Sequence, residues 1–138
     1  MKKTREARIY AEAVGKAVAF GVVATTCDII TTPTMSGYIH SIPEPDEWGT
    51  SPLASAFDTH AMERWVALMT KAEDLSIERK QDSCTYGVCI MRSGTFVSMS
   101  IVRHHFSLND AIDSAVADGM DTVYNLHDYD EPIPVPVV

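Results

Sequence analysis

Ser93-Gly94 sits between two runs of alternating apolar residues, and this arrangement restricts the fold more than any other stretch of the chain. Glycine reaches positive φ at no steric cost, so the pair reads as the reversal of a β-hairpin. With a two-residue loop, Arg92 faces Thr95, Ile90 faces Val97, Val88 faces Met99 and Tyr86 faces Ile101. Side chains alternate faces along a strand, so Tyr86, Val88, Ile90, Val97, Met99 and Ile101 gather on one side. Gly87, Cys89, Met91, Phe96, Ser98 and Ser100 take the other side, which is smaller and more mixed. A one-residue slip would scramble this sorting. The hairpin, about residues 86–103, is therefore expected at the centre of an antiparallel sheet.

A short helix, about residues 108–118, follows. Ser107 can cap it, and Asp110 puts a carboxylate beside the free N–H groups of its first turn. Leu108, Ala111, Ile112, Ala115 and Val116 keep the 3.6-residue period and are expected to cover the hairpin's apolar face. Gly119 falls where a left-handed residue ends a helix. Asp110, Asp118 and Asp121 lie opposite the apolar arc, with Asp113 at its edge, and read as a solvated face. Thr122–His127 alternates weakly, which predicts a further strand, with helix continuation as the alternative.

Two longer helices are predicted upstream. Residues 5–24 carry stripes from Ile9 to Phe20 and are apolar nearly all round in their second half, which implies burial. Ser51-Pro52 pairs an N-cap residue with proline at the first helical position, so a second helix is expected over 52–75. Its stripe runs through Phe57, Ala61, Trp65, Leu68 and Ala72. Residues 25–51, broken by Thr32-Pro33, Ser36-Gly37 and Pro43-Glu44-Pro45, form either a second hairpin or a long loop. At the far end Pro132, Pro134 and Pro136 alternate with Ile133, Val135 and Val137. Residues 132–138 are thus an extended tail excluded from a central sheet position. The class is α+β, in one domain over residues 1–138.

Charge is unevenly spread. Residues 1–103 hold all 11 Lys and Arg against 12 acids, for a net −1, whereas residues 104–138 hold 7 acids and no Lys or Arg, for a net −7. Nucleic-acid affinity comes mainly from cations on phosphates, so direct nucleic-acid binding is not expected. A protein partner with a basic surface is. The three cysteines form no disulfide framework, which suits a reducing cytosol. The uncharged run Ala17–Cys27 is too short to span a membrane, so a soluble cytoplasmic protein is expected. No metal-ligand spacing, nucleophile motif or phosphate loop occurs, and no cofactor or metal is implied.

The functional expectation is non-catalytic: an accessory or inhibitory protein that occupies a partner's surface, a profile suiting a small acidic inhibitor of viral origin. Proline stiffness favours Trp48 as an anchor residue, with Glu47 and Tyr38 near it, and Asp128, Asp130 and Glu131 as an acidic patch. Apolar helix faces and the tail further suggest a homo-oligomer. The competing expectation is a small-ligand binder or enzyme with a pocket between the hairpin and the second helix, using His40, Cys89, His104 or Tyr124.

Overall fold

A computed structural model describes residues 2–26, 33–43, 49–79 and 85–136. They form helices α1 (Lys2–Phe20), α2 (Thr59–Arg79) and α3 (Leu108–Ala117), with strands β1 (Val22–Thr26), β2 (Tyr38–Ser41), β3 (Gly49–Pro52), β4 (Thr85–Ser93), β5 (Phe96–His105), β6 (Thr122–Asn125) and β7 (Asp128–Pro134). The seven strands make one open, wholly antiparallel sheet in the order β1-β4-β5-β2-β6-β7, and β3 pairs with β5 beyond the end of β2. This is the α+β architecture expected, with the hairpin at its middle.

The hairpin's loop is Gly94-Thr95. Ser93 therefore pairs with Phe96, Ile90 with Met99, Val88 with Ile101 and Tyr86 with Arg103. Each pairing differs from the expected one by two residues. A shift of two preserves the face of every side chain, so the predicted sorting stands while the partners change. Tyr86, Val88, Ile90, Val97, Met99 and Ile101 are all buried.

What covers them differs from expectation. α1 and α2 supply Tyr10, Ala13, Val14, Ala17, Trp65, Leu68 and Ala72 to that face. α3 lies further along, over β2, β6 and the end of β5, and its Ala111 and Ala115 pack with Val123 and Val135. Ile112 is only half-buried and Val116 is 42% exposed, so neither roofs the hairpin.

Both long helices shift from their predicted bounds. α1 stops at Phe20 because Gly21, at φ 101°, donates its N–H to Ala17 O and turns the chain. Residues 22–24, read as the helix's apolar end, instead begin the strand Val22–Thr26 against β4, with Val23 and Thr25 on the helix-covered face. An all-round apolar stretch with two adjacent valines suits a doubly covered strand as well as a buried helix, and the ladder to β4 decides it. α2 begins seven residues late. Ser51 and Pro52 pair with Val97 and Phe96 on a sheet edge, where proline's missing N–H is tolerated. A 3₁₀ turn at Leu53–Ser55 intervenes, which leaves Phe57 outside the helix and 58% exposed.

The opposite face carries no helix among the described residues. The β6–β7 hairpin folds over part of it: Leu126, Tyr124 and Tyr129 pack with Ile39, Cys89 and Val102, and Leu126 N–H donates to Gly37 O at 2.9 Å. Residues 132–134 of the proline-rich stretch form the end of β7 on the sheet edge, and Val135 docks beneath α3 with its N–H on Asp121 O at 2.9 Å. The apolar faces of α1 and α2, with Ile133 and Val135, are thus largely covered within one chain. No described helix is long and apolar enough to cross a membrane.

Candidate functional site

Beyond Ile101 the helix-covered face of β5 turns polar. The alternation that buries Met99 and Ile101 next places Arg103 and His105 inward, and β2 brings His40 opposite Arg103. From above, α3 presents Ala111, Ser114, Ala115 and Asp118, which recur at steps of three and four and so share one stripe. Helix and sheet therefore meet across a buried polar cluster of His40, Arg103, His105, Ser114 and Asp118.

Two contacts join the layers. Arg103 Nη1 lies 2.9 Å from Asp118 Oδ2, both side chains being almost fully buried, while the guanidinium carbon sits 5.2 Å from the centre of the Tyr86 ring. A buried ion pair is tolerated when its geometry is close and its remaining valences are occupied, and the aromatic face helps here. His40 Nε2 is 2.8 Å from Ser114 Oγ, and its Nδ1 is 2.8 Å from Ser41 O. A carbonyl only accepts, so Nδ1 carries the proton and Nε2 accepts from the serine hydroxyl. Burial holds the His40 pKa below its ordinary value, against the opposing pull of the Ser41 carbonyl and Asp118.

His105 has no such partner. Its ring lies nearly parallel to that of His40, 6.1 Å centre to centre, and neither ring nitrogen has a hydrogen-bond partner among the described residues. Burial, then the nearby His40 and Arg103, pushes its pKa down to about 4. The α3 terminus is fixed by a Schellman cap: Met120 N–H donates to Ala115 O at 2.8 Å and Gly119 N–H to Val116 O at 3.1 Å, with Gly119 at φ 73°. This cap ends the helix at Asp118 and aims its carboxylate at Arg103.

Chemically, a serine hydroxyl donating to an imidazole is the relation of a nucleophile to its base. Here His40 is 1% and Ser114 8% exposed, so a substrate has no approach to either. The cluster fastens α3 to the sheet.

The residues singled out from sequence are scattered. Tyr38 is half-buried on the helix-covered face, opposite both His105 and Asn125. Asp128, Asp130 and Glu131 are exposed along β7. Glu47 and Trp48 lie outside the described residues, as do residues 27–32 and 44–46 of the stretch expected to be a hairpin or a loop, whereas Tyr38–Ser41 of that stretch is β2, paired with β5. Their segment leaves β5 opposite Val102 at Ser41 and rejoins it opposite Met99 at Gly49. Of His40, Cys89, His104 and Tyr124, the last three belong to the helix-free face, away from α2, whereas His40 meets α3 on the other. Cys89 is buried and burial pushes its thiol up to about 12, which leaves it a small hydrophobe. Tyr124 stacks on Tyr129 at 4.7 Å, and His104 donates from Nε2 to Ser36 O at 2.7 Å while meeting Phe106 edge-on.

Asp118 is the main revision. Its place opposite the apolar arc reads as solvated, yet the packed stripe runs through it. No family model, curated protein or solved structure matches the chain.

Proposed function

We propose that the protein is a non-catalytic binding module that occupies a basic surface of a partner protein with the acidic end built from α3, β6 and β7. The observation that carries this reading is the placement of charge. Asp110, Asp113, Asp121, Asp128, Asp130 and Glu131 are all exposed, and residues 104–138 contain no Lys or Arg to neutralise them. Asp118, the remaining acid of this stretch, faces inward to Arg103. A one-signed surface of this kind steers association and selects partners of opposite charge.

The edge strand adds a constraint. Pro132 and Pro134 offer no N–H, so β7 is a poor template for an added strand. Recognition here runs through side chains. Trp48 and Glu47, which lie in the sequence between β2 and β3, supply a second contact in this reading. Occupancy of a partner is favoured over a pocket formed by His40, Cys89, His104 and Tyr124, because the sheet separates that set onto two faces. This reading does not rest on self-association, since the apolar faces of α1 and α2 are largely buried within one chain. A reducing, cytosolic setting suits the free, buried thiol of Cys89.

The test compares the wild-type chain with the triple variant Asp128→Asn, Asp130→Asn, Glu131→Gln in pull-downs at low and high salt. Wild type should retain a basic partner at low salt and lose it at high salt, and the variant should lose it at both. A partner bound equally by both proteins would sink the proposal.

A further inference from the structure

We propose that α3 is held to the sheet by an acid-labile latch, in which protonating the buried imidazoles of His105 and His40 releases α3 and the β6 strand beneath it while the α1–α2 half stays folded. The inference concerns the chain itself and holds whatever partner it binds.

The geometry supports it in three ways. First, the residues that α3 buries fully are Ala111, Ser114 and Ala115, with only Leu108 and Ile112 half-buried beside them, so its apolar grip is modest and its polar contacts matter more. Second, His105 is 95% buried by exposed area with both nitrogens unpartnered, an arrangement tolerable only while the ring is neutral. A proton would add a second unpaired N–H donor and a cation at that spot. Third, the buried carboxylate nearby is already engaged, so a new cation finds no counter-ion of its own. Facing the pair are Arg103 from β5 and the phenols of Tyr38 and Tyr86 from β2 and β4, while His104 of β5 lies behind them on the other face. α3 contributes the carboxylates of Asp118 and Asp110. Asp118 is committed to Arg103, and Asp110 is exposed to solvent. Protonating His40 also converts Nε2 from acceptor to donor, so the Ser114 hydroxyl must reverse its bond.

The sign follows from linkage. His105 is held down to about 4 when α3 is docked and returns toward its ordinary 6.5 when α3 is released. The released state therefore binds more protons between those values. The latch is fully closed above about pH 6.5, weakens as pH falls, and loses nothing further from this group below about 4. One linked proton raises the opening constant up to about tenfold per pH unit, and two raise it up to about a hundredfold. His104, also held low by burial, packs against Ser36 on the opposite face and serves as an internal contrast.

Amide hydrogen exchange on the full chain, corrected for intrinsic rates, tests this between about pH 7 and about pH 5. Protection of the α3 and β6 amides should fall at least about tenfold relative to that of β4 and β5. His105→Phe should flatten the pH dependence, leaving at most the share carried by His40. Constant α3 protection, β4 and β5 falling in step with α3, or an unchanged slope in His105→Phe would each overturn the latch. If that variant does not fold, the His105 ring titration in the wild-type chain decides: a midpoint near 6.5 overturns the proposal and one well below it supports it.

Discussion

Two roofs cover the same face of one sheet, and they hold on by different physics. Under α1 and α2 lie Trp65, Tyr10, Val14, Leu68 and the hairpin's Val88, Ile90 and Met99, an apolar layer with a few internal hydrogen bonds. Trp65 donates its indole N–H to Thr25 Oγ1 at 3.0 Å, and Tyr10 donates its hydroxyl to Ala56 O at 2.7 Å. Burial pushes the Tyr10 phenol up to about 12, so it stays neutral across the physiological range. Under α3 lie alanines, a serine, two histidines and an ion pair. The first roof rests on volume and is indifferent to pH. The second rests on matched polar groups, and its strength depends on their protonation. One domain thus contains a robust half and a conditional half.

The largest effect should come from Trp65→Ala in the first roof. It removes a large ring that is 3% exposed and leaves Thr25 without its indole donor. Losses of about 3–5 kcal/mol are usual for such truncations. Urea unfolding should show the loss with every probe of the α1–α2 half. A loss under about 1 kcal/mol would mean that apolar volume is not what holds this half together.

Next in size is Asp118→Asn in the second roof. It leaves the Arg103 guanidinium buried with a neutral partner in place of a carboxylate. Removing one member of a buried pair costs about 3 kcal/mol, and the Tyr86 ring offsets part of that. The contrast with Trp65 lies in where the loss is read. Exchange of α3 and β6 amides should accelerate more than that of β4, and uniform acceleration would erase the distinction between the two roofs.

The first roof was more legible in the sequence than the second, for a physical reason. Face sorting in a hairpin depends only on parity, so Val88, Ile90, Val97 and Met99 could be placed inward even with their partners displaced by two. Apolar periodicity names core residues, but it does not say which helix covers them. The same blindness hid β1, since Val22–Thr26 fits a buried helix and a covered strand equally well. In the second roof the useful signals run against residue type. Arg103 shares parity with Met99 and Ile101, and a charge on core parity demands a buried partner. Asp118 lies three and four steps beyond Ala115 and Ser114 on the packed stripe of α3. Reading an acid on a helix as solvated misses it. The unpartnered state of His105 depends on the placement of β2 and α3, which no local pattern specifies.

The smallest effect is the sharpest test of this contrast. Ser114→Ala removes one hydroxyl, and alanine is the better helix former, so propensity alone predicts a slight gain. Against that, His40 Nε2 loses its donor while its Nδ1 stays committed to Ser41 O, which leaves a buried acceptor unsatisfied. The unsatisfied group should win, because it costs about 1–2 kcal/mol against a propensity gain of about 0.5 kcal/mol. The loss should shrink as pH falls, since a His40 deprived of the serine hydroxyl can be charged without any bond having to reverse. In the first roof the comparable removal of one hydroxyl, from Tyr10, involves no group that titrates in that range. A Ser114→Ala protein as stable as wild type at every pH would show that α3 is held by its alanines, and that the polar cluster beneath it is tolerated without being needed.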